Sequence, residues 1–356
     1  MSDRLEVPRG PGAEPLYGLV VFNSLRTMKT GATRSIRLAS PALRNLGVHL
    51  HFVAAHSIPH FLVSLIQTKR LRYDFVLFNG LASIGGQSHF GYRLWHLSRL
   101  ARRPSLIYWH ETDWVLDQYR HQDPASARRV DRLAADPVTV HLTASKACSE
   151  SIREHFPQAQ PIEMYECAVV PALFDRPALP AGPPTVVNLA SVQARKGTDL
   201  FVETAIKVCR QHPDVEFLWL GGGQPFGTWR EEIEAAGLQE RILFPGYADS
   251  AYLLLRRASL LFLSSRDDPF PLSVLEAMCL GRSVVAFDVG GAPEALAGLG
   301  HLIPPFDTDQ AAEAILHCLR LPSEERLNLE LRQRYLDLYT PDKFAERLNR
   351  VLREHL

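Results

Sequence analysis

The sequence lacks the features that would place it at once in several protein classes. None of its apolar runs approaches the roughly 20 residues that a membrane-spanning helix needs. Its five cysteines are scattered and form no Cys-x-x-Cys pair, which favours free thiols in a reducing cytosol over a disulfide framework. Residues 1–15 are polar and rich in proline and glycine, so we expect a disordered lead and not a signal peptide.

Several catalytic signatures are missing as well. There is no Gly-x-Gly-x-x-Gly and no Gly-x-x-x-x-Gly-Lys-Ser/Thr, so an NAD-dependent oxidoreductase and a P-loop nucleotide hydrolase lose their main evidence. No Gly-x-Ser-x-Gly elbow and no His-Glu-x-x-His zinc motif occurs. We therefore expect neither a serine nucleophile of that kind nor a bound metal.

Acidic residues are scarce in the first part of the chain. Residues 1–110 hold 14 of the 39 Lys and Arg but only 4 of the 39 Asp and Glu, a net charge of +10 that residues 111–356 balance with −10. This asymmetry indicates an anionic partner on the basic half, although a solvated basic face would give the same pattern. The basic residues follow no recognised nucleic-acid motif, so no nucleic acid partner is expected.

Short apolar runs alternate with helical patterns along the chain, which predicts parallel strands covered by helices on both faces. The predicted strands are 16–23, 48–55, 74–80, 105–111, 138–145, 162–168, 185–191, 215–222, 241–247, 259–265, 283–289 and 301–305. Five prolines between Pro171 and Pro184 mark a linker. We predict two doubly wound, Rossmann-like α/β domains, over 16–170 and 185–322, joined by a linker over 171–184 and followed by helices over 323–356.

Ligands of such folds bind at the carboxyl ends of the strands, so the loops there are the first places to search. Arg195 and Lys196 follow one strand and precede a helix, an arrangement that suits a diphosphate, although a solvated basic pair is the alternative. A second loop contains Gly222, whose missing side chain permits close approach of a ligand. Tyr247 ends another strand, where its ring could border a planar base or simply the domain's rim.

The stretch DDPFPLSVLEAMCLG, residues 267–281, places acids on both sides of a predicted helix start. Pro271 is predicted in the first turn, where its missing N–H costs nothing, and the free amides nearby suit an anion. Asp268 precedes this helix and Glu276 lies inside it, so both carboxylates are predicted to reach one cavity. The alternative is that Asp268 caps the helix and Glu276 lies on the surface.

The first half offers fewer signals. His110, Glu111 and Asp113 cluster after a strand, where a histidine could donate to a substrate hydroxyl or phosphate, or could be structural. Gly31 precedes a predicted helix whose early turns carry Arg34 and Arg37, which makes a second candidate anion site.

Residues 185–300 resemble the GT-B glycosyltransferases, and in particular the large retaining family numbered four. The resemblance rests on SVQARKGTDLFVETA, FLWLGGGQP, RILFPGY and LLFLSSRDDPFPLSVLEAMCLGRSVVAFDVGGAPEAL, in that order. The first half resembles the family only in layout. The resemblance implies two domains that face each other across a cleft, with the last helix packed on the N-terminal, acceptor-binding domain.

The resemblance also implies roles for individual residues. Glu276 would hold the ribose hydroxyls of a nucleotide, and Asp268, where the family usually has Glu, would lie near the donor sugar. Lys196 matches the family's diphosphate-binding lysine, whereas Ser191 replaces its usual arginine, a charge that Arg195 could supply. His110 would match a first-domain histidine, and Lys196, Asp268 and His110 are the catalytic candidates. The remaining donor-binding candidates are Gly31, Gly222, Tyr247, Phe270, Pro271, Leu272 and Ser273.

The implied activity is metal-independent, hexosyltransferase-like transfer of a sugar, with retention of configuration, from a nucleotide diphosphate sugar to a glycan, lipid-linked or small-molecule acceptor. A UDP-sugar is favoured over a GDP-sugar, and no cofactor is needed. A catalytically inactive protein that binds a nucleotide sugar or glycan as a scaffold is the alternative, because Asp268 and Ser191 depart from the family pattern. The expected location is the cytoplasm, peripheral on the inner face of the cell membrane through the basic residues 1–110.

Overall fold

The chain forms two β-sheets, each built from parallel strands. The structure, a computed structural model, describes residues 14–22, 31–54, 73–85, 90–168, 182–223, 227–247 and 251–356. Within these ranges each sheet has six strands, and every pair of neighbouring strands is parallel.

The first sheet has the spatial order β2-β1-β3-β4-β5-β6. Its strands are β1 (Leu16–Phe22), β2 (Val48–Ala54), β3 (Phe75–Asn79), β4 (Ser105–Trp109), β5 (Thr139–Thr143) and β6 (Ile162–Glu163). Strands β3 and β4 are mostly apolar and buried from end to end, as a sheet that is covered on both faces requires.

Helices cover both faces of this sheet. They are α1 (Gly31–Asn45), α2 (Ala82–Gly85), α3 (Phe90–Leu100), α4 (Asp113–Gln122), α5 (Pro124–Ala134) and α6 (Lys146–His155). Val20 packs in one core cluster with Ile36 of α1, whereas the adjacent Val21 packs in another with Trp95 of α3 and Val130 of α5. Successive side chains of a strand point to opposite faces, so one short apolar run supplies both cores.

The second sheet has the order β12-β11-β10-β7-β8-β9. Its strands are β7 (Thr185–Leu189), β8 (Glu216–Leu220), β9 (Ile242–Gly246), β10 (Leu260–Leu263), β11 (Ser283–Phe287) and β12 (His301–Ile303). Its helices are α7 (Thr198–Gln211), α8 (Trp229–Ala235), α9 (Ala251–Arg257), α10 (Leu272–Cys279), α11 (Ala292–Leu296) and α12 (Thr308–Arg320).

Two further helices, α13 (Leu329–Leu338) and α14 (Pro341–His355), complete the described chain and bring its end back to the first domain. Helix α13 lies against α10, and α14 lies against α1. Arg347 of α14 donates through Nε to the carbonyl of Met164 at 2.8 Å. Phe344 and Leu348 of the same helix share a core cluster with Ile36 of α1.

The predicted fold class, two doubly wound α/β domains with helices at the end of the chain, is confirmed. The strand predicted over 162–168 was too long, because Tyr165 adopts a left-handed conformation (φ +55°) that ends the extended backbone after Glu163. The predicted linker lies outside the described residues except for Gly182–Pro184, as does the predicted lead except for Glu14 and Pro15. None of the described helices combines the length and the apolar character that crossing a membrane requires.

Candidate active site

The candidate site lies where the strand order of the second sheet reverses. Chain connections run outward from β7 to β8 in one direction and from β10 to β11 in the other, so the loops after β7 and β10 diverge and leave a crevice. Arg195 and Lys196 are in the loop after β7, and Asp267 and Asp268 are in the loop after β10.

A left-handed glycine fixes the first of these loops. Ala194–Lys196 form one 3₁₀ turn, and Gly197 (φ +67°) then begins helix α7. A Cβ at Gly197 would lie 1.9 Å from the carbonyl oxygen of Ser264, at the end of β10. Only glycine therefore allows the two loops to approach closely enough to form one site.

The cations of this site are paired with acids of the same domain. Lys196 Nζ lies 2.5 Å from Asp268 Oδ2. Arg195 donates to the carbonyl oxygen of Asp267 at 2.8 Å and lies 3.5 Å from that residue's carboxylate. The structure thus brings together three residues that the sequence predicted for the site, and it gives Asp268 a cationic partner.

Helix α10 directs its N-terminus into the same crevice. Pro271 is its N-cap and has extended backbone angles, so the prediction that Pro271 occupies the first turn was wrong by one position. No side chain caps this end, and the amides of Leu272 and Ser273 donate to no other described residue. Phe270 is buried just ahead of the helix, between Tyr165 and Tyr339.

Glu276 is buried in α10 and not on its surface, which excludes the surface alternative. Its carboxylate accepts a hydrogen bond from Arg34, in the first turns of α1, with 2.5 Å between NH1 and Oε1. Burial raises the pKa of Glu276, and the charge and hydrogen bond of Arg34 oppose that rise. The side chain that the resemblance assigns to a ribose therefore makes an ion pair with the first domain.

Gly222 and Tyr247 lie together beside the loops already described. The Tyr247 ring covers Gly222, since a Cβ there would come within 2.4 Å of it, and the Tyr247 side chain is 85% exposed. An exposed aromatic ring is a suitable surface for a planar base. The sequence predicted Gly222 for close approach of a ligand and Tyr247 for contact with a base, and in the structure the ring of Tyr247 itself lies against Gly222.

His110 lies at the carboxyl end of β4, in the first domain. Its Nδ1 lies 2.7 Å from Glu166 Oε1 and its Nε2 lies 3.0 Å from Asn79 Oδ1, and the side chain is 8% exposed. Burial opposes a charge on the imidazole, but Glu166 and Glu111 together raise the pKa of His110 above its usual value. The glutamate at 166 was missed by the sequence analysis, since nothing local marks it as a partner of His110.

Besides the Arg34–Glu276 pair, the described residues make further contacts between the two domains. The hydroxyl of Thr112 donates to the carboxylate of Asp267 at 2.7 Å, and burial raises the pKa of that aspartate. The amide of Lys146, at the start of α6, donates to Glu294 Oε2 at 2.7 Å. Neither Thr112 nor Lys146 was predicted, because a contact across the cleft leaves no trace in local sequence.

Gly31 is the first residue of α1 and does not precede it as predicted, and Arg34 of this helix reaches the site. Burial raises the pKa of Glu111, whose carboxylate accepts from the amides of Leu81 and His110 and so fixes the loop after β4. No group of three or more His, Cys, Asp or Glu within the described ranges is arranged to hold a metal ion.

This geometry can be compared with known proteins. Residues 183–320 match the protein family described as Glycosyl transferases group 1. The resemblance of the second domain to group 1 glycosyltransferases is thereby confirmed, whereas family four and retention remain predictions.

Two curated relatives illustrate the sequence similarity. Alpha-D-kanosaminyltransferase of Streptomyces kanamyceticus is 26% identical over 234 residues, which are 65% of this chain and 53% of that protein. N-acetyl-alpha-D-glucosaminyl L-malate synthase of Bacillus anthracis is 30% identical over 151 residues, which are 42% of this chain and 39% of that protein. The chain thus spans about half or less of these relatives.

Solved structures extend the likeness to both domains. Sucrose-phosphate synthase from Thermosynechococcus elongatus superposes with a TM-score of 0.76 at 20% identity, covering 96% of this chain and 99% of that one. HepE of Anabaena, solved with UDP and glucose, has a TM-score of 0.69 at 16% identity and covers 94% of this chain and 98% of its own. The similarity to these structures shows the fold, which is that of the GT-B glycosyltransferases.

Proposed function

We propose that this chain is a retaining glycosyltransferase that moves a sugar from a nucleotide diphosphate sugar to a glycan, lipid-linked or small-molecule acceptor. One observation carries the proposal. Lys196, Arg195, the N-terminus of α10 and Glu276 converge on the crevice of a domain that matches group 1 glycosyltransferases.

The chemistry of these groups fits a nucleotide sugar. A diphosphate leaving group gains negative charge as its bond to the anomeric carbon breaks, and preorganised cations and amides stabilise that charge. Lys196, Arg195 and the amides of Leu272 and Ser273 are placed for this purpose. Glu276 would accept hydrogen bonds from the ribose hydroxyls, and the exposed ring of Tyr247 would support the base.

Asp268 and His110 are proposed for the sugar end of the donor. Asp268 is one methylene shorter than the glutamate usual in the family, and its contact with Lys196 supports a position where the donor's sugar would meet its diphosphate. Departure of the diphosphate and attack by the acceptor on the same face would retain the configuration without a carboxylate nucleophile, unlike the retaining glycosidases. The mechanism is proposed to be metal-independent, and UDP-sugars are the favoured donors.

A melting-temperature panel with UDP, GDP and ADP tests donor binding, because a ligand that binds only the folded state raises the melting temperature. We expect the largest rise with UDP. Hydrolysis assays with UDP-, GDP- and ADP-sugars then test catalysis, and slow release of the nucleotide is the expected result. Clear binding without turnover of any donor would favour the scaffold alternative, and the absence of any melting shift would contradict both proposals.

We also propose a cytoplasmic location with docking on an anionic membrane surface. Helix α3 exposes Leu97 (60%) and Leu100 (82%) beside Arg93 and Arg102, and no acid occurs between Asp74 and Glu111. Basic side chains near an anionic bilayer each contribute about 1 kcal/mol to binding. The C-terminus of α3 precedes β4, so this surface lies at the amino edge of the first sheet, opposite the candidate site.

Cosedimentation with vesicles of neutral or anionic lipid, at equal salt, tests this docking. We expect binding to anionic vesicles that weakens when Leu97 and Leu100 are both replaced by serine. Equal binding to both lipid types would contradict the proposal. The matched control is replacement of Leu253 and Leu329, two exposed leucines outside the first domain, which should leave binding unchanged.

A further inference from the structure

The candidate site carries an unusual balance of charge. The cations that the second domain places around the crevice are Lys196, Arg195 and Arg266, and the acids that surround them are Asp268, Asp267, Asp199 and Glu276. With all of these groups ionised, the second domain's half of the site has a net charge of −1. A nucleoside diphosphate adds further negative charge, so this half of the site alone is poorly matched to such a ligand.

Each of these three cations is also engaged already. Arg266 makes two parallel hydrogen bonds to Asp199, at 2.7 and 2.6 Å, while Lys196 and Arg195 contact Asp268 and Asp267. Ser191, which donates no charge, stands where the family resemblance implies an arginine. Another cation is therefore needed, and it has to come from across the cleft.

Arg34 is that cation. Its NH1 lies 2.5 Å from Glu276 Oε1, and its side chain is 42% exposed whereas that of Glu276 is 6% exposed. The guanidinium thus reaches from the open cleft to a carboxylate at the bottom of the crevice. With Arg34 included, the charge of the site becomes zero.

The position of Arg34 is unfavourable for its own helix. The first turn of α1 contains no acidic residue, and a cation near a helix N-terminus opposes the helix dipole. A residue that destabilises its own helix is expected to make a favourable contact outside that helix. Arg34 does so through its contact with Glu276, on the other domain.

We infer that Arg34 is a donor-binding residue that the first domain supplies: it neutralises Glu276 in the empty cleft and contacts the donor's diphosphate once the ribose occupies Glu276. This inference rests on the proposed function. Ribose hydroxyls compete with Arg34 for the same carboxylate oxygens. A displaced guanidinium keeps its charge and its reach, and its planar donors suit the oxygens of a diphosphate.

Calorimetric titration with UDP and with uridine separates this role from others. For Arg34→Gln we expect UDP to bind about tenfold more weakly, the loss of one charge-assisted hydrogen bond. Uridine, which has no phosphate, should bind equally well or better, because Glu276 loses its competitor. Arg34→Lys should recover part of the UDP affinity. The control Arg44→Gln removes the same charge from the exposed last turn of α1 and should change UDP binding less than twofold.

Several results would overturn the inference. Equal weakening of UDP and uridine would show that Arg34 only shapes the pocket, and tighter UDP binding in Arg34→Gln would show that it only blocks Glu276. Unchanged binding of both ligands would show that it takes no part. If Arg34→Gln does not fold, the comparison of Arg34→Lys with Arg44→Gln decides, and loss of UDP affinity is expected only in Arg34→Lys. If UDP gives neither measurable heat nor a melting shift with the unmodified protein, UDP does not bind and the proposed function fails as well.

Discussion

The two domains share an architecture but differ in how they contribute to the site. Both have six parallel strands in the described residues, and both reverse their strand order at one point. In the second domain nearly every site residue comes from one continuous segment, 191–276. In the first domain the contributors are Arg34, His110 with the nearby Thr112, and the amide of Lys146, which come from three separate parts of the sequence.

This difference explains which half of the site is recognisable. A crevice built by adjacent loops of one domain needs particular residues at fixed spacings, such as a glycine at 197 where the chain must pass Ser264. In the first domain, by contrast, a charge that reaches the ligand from across the cleft could be carried by any of several helices. The residues that the first domain adds to the candidate site therefore form no motif.

The largest expected loss of UDP binding follows substitution of Glu276. This substitution tests whether the second domain holds the nucleotide through that residue. In the proposed site, Glu276→Ala would remove two charge-assisted hydrogen bonds to a ribose, which we expect to weaken UDP binding by about 4 kcal/mol, or roughly 1,000-fold. The measurement is the UDP-dependent shift in melting temperature, which should disappear.

The matched control is Glu294→Ala, since Glu294 also contacts the first domain, through the amide of Lys146 and the hydroxyl of Tyr165. This variant should keep the UDP-dependent shift while its unliganded melting temperature falls. A full shift in Glu276→Ala would show that the ribose is held elsewhere.

A pair of glycines tests the close approach of the two loops in the second domain. Gly197 and Gly237 both have left-handed backbones, with φ of +67° and +66°, but only Gly197 has a neighbour within 4 Å of a Cβ. Gly237→Ala should cost about 1 kcal/mol of unfolding free energy through backbone strain. Gly197→Ala should cost about 3 kcal/mol, because the carbonyl of Ser264 must also move. Equal costs in denaturant unfolding would contradict this account.

A pH-dependent effect is expected in the first domain, at Glu166. The raised pKa of His110 in the fold gives stability that is complete below the unfolded-state pKa of about 6.5 and is lost as pH rises through the folded-state value. Glu166→Gln should therefore cost about 2 kcal/mol at pH 6 and less at pH 9. Glu111 and Tyr108 also face His110 and remain in place.

Denaturant unfolding at the two pH values is the measurement for Glu166. The control is Glu150→Gln, on the exposed surface of α6, which should change stability little at either pH. If the cost of Glu166→Gln were the same at pH 6 and pH 9, the imidazole would not carry the charge that this arrangement implies.

The sequence predicted the fold because alternating apolar runs determine strands and helices locally. It also predicted the positions of Lys196, Asp268 and Glu276, because each follows a strand of the sheet that forms the crevice. It did not predict the partners of Glu276 and His110, since Arg34 is 242 residues away and Glu166 is 56 residues away along the chain. Such pairs depend on how the domains and loops are placed in three dimensions, which no local pattern encodes.

The return of α14 to the first domain has a consequence for how the cleft can open. The chain leaves the first domain after Ala168 and comes back to it near Tyr339, and these passages lie side by side, since the rings of Tyr165 and Tyr339 are 5.9 Å apart. The two domains are therefore joined by two covalent connections that lie next to each other. We expect such a pair of connections to favour rotation about the line that joins them over sliding or twisting, so that Arg34 and Glu276 would separate and meet again along one path.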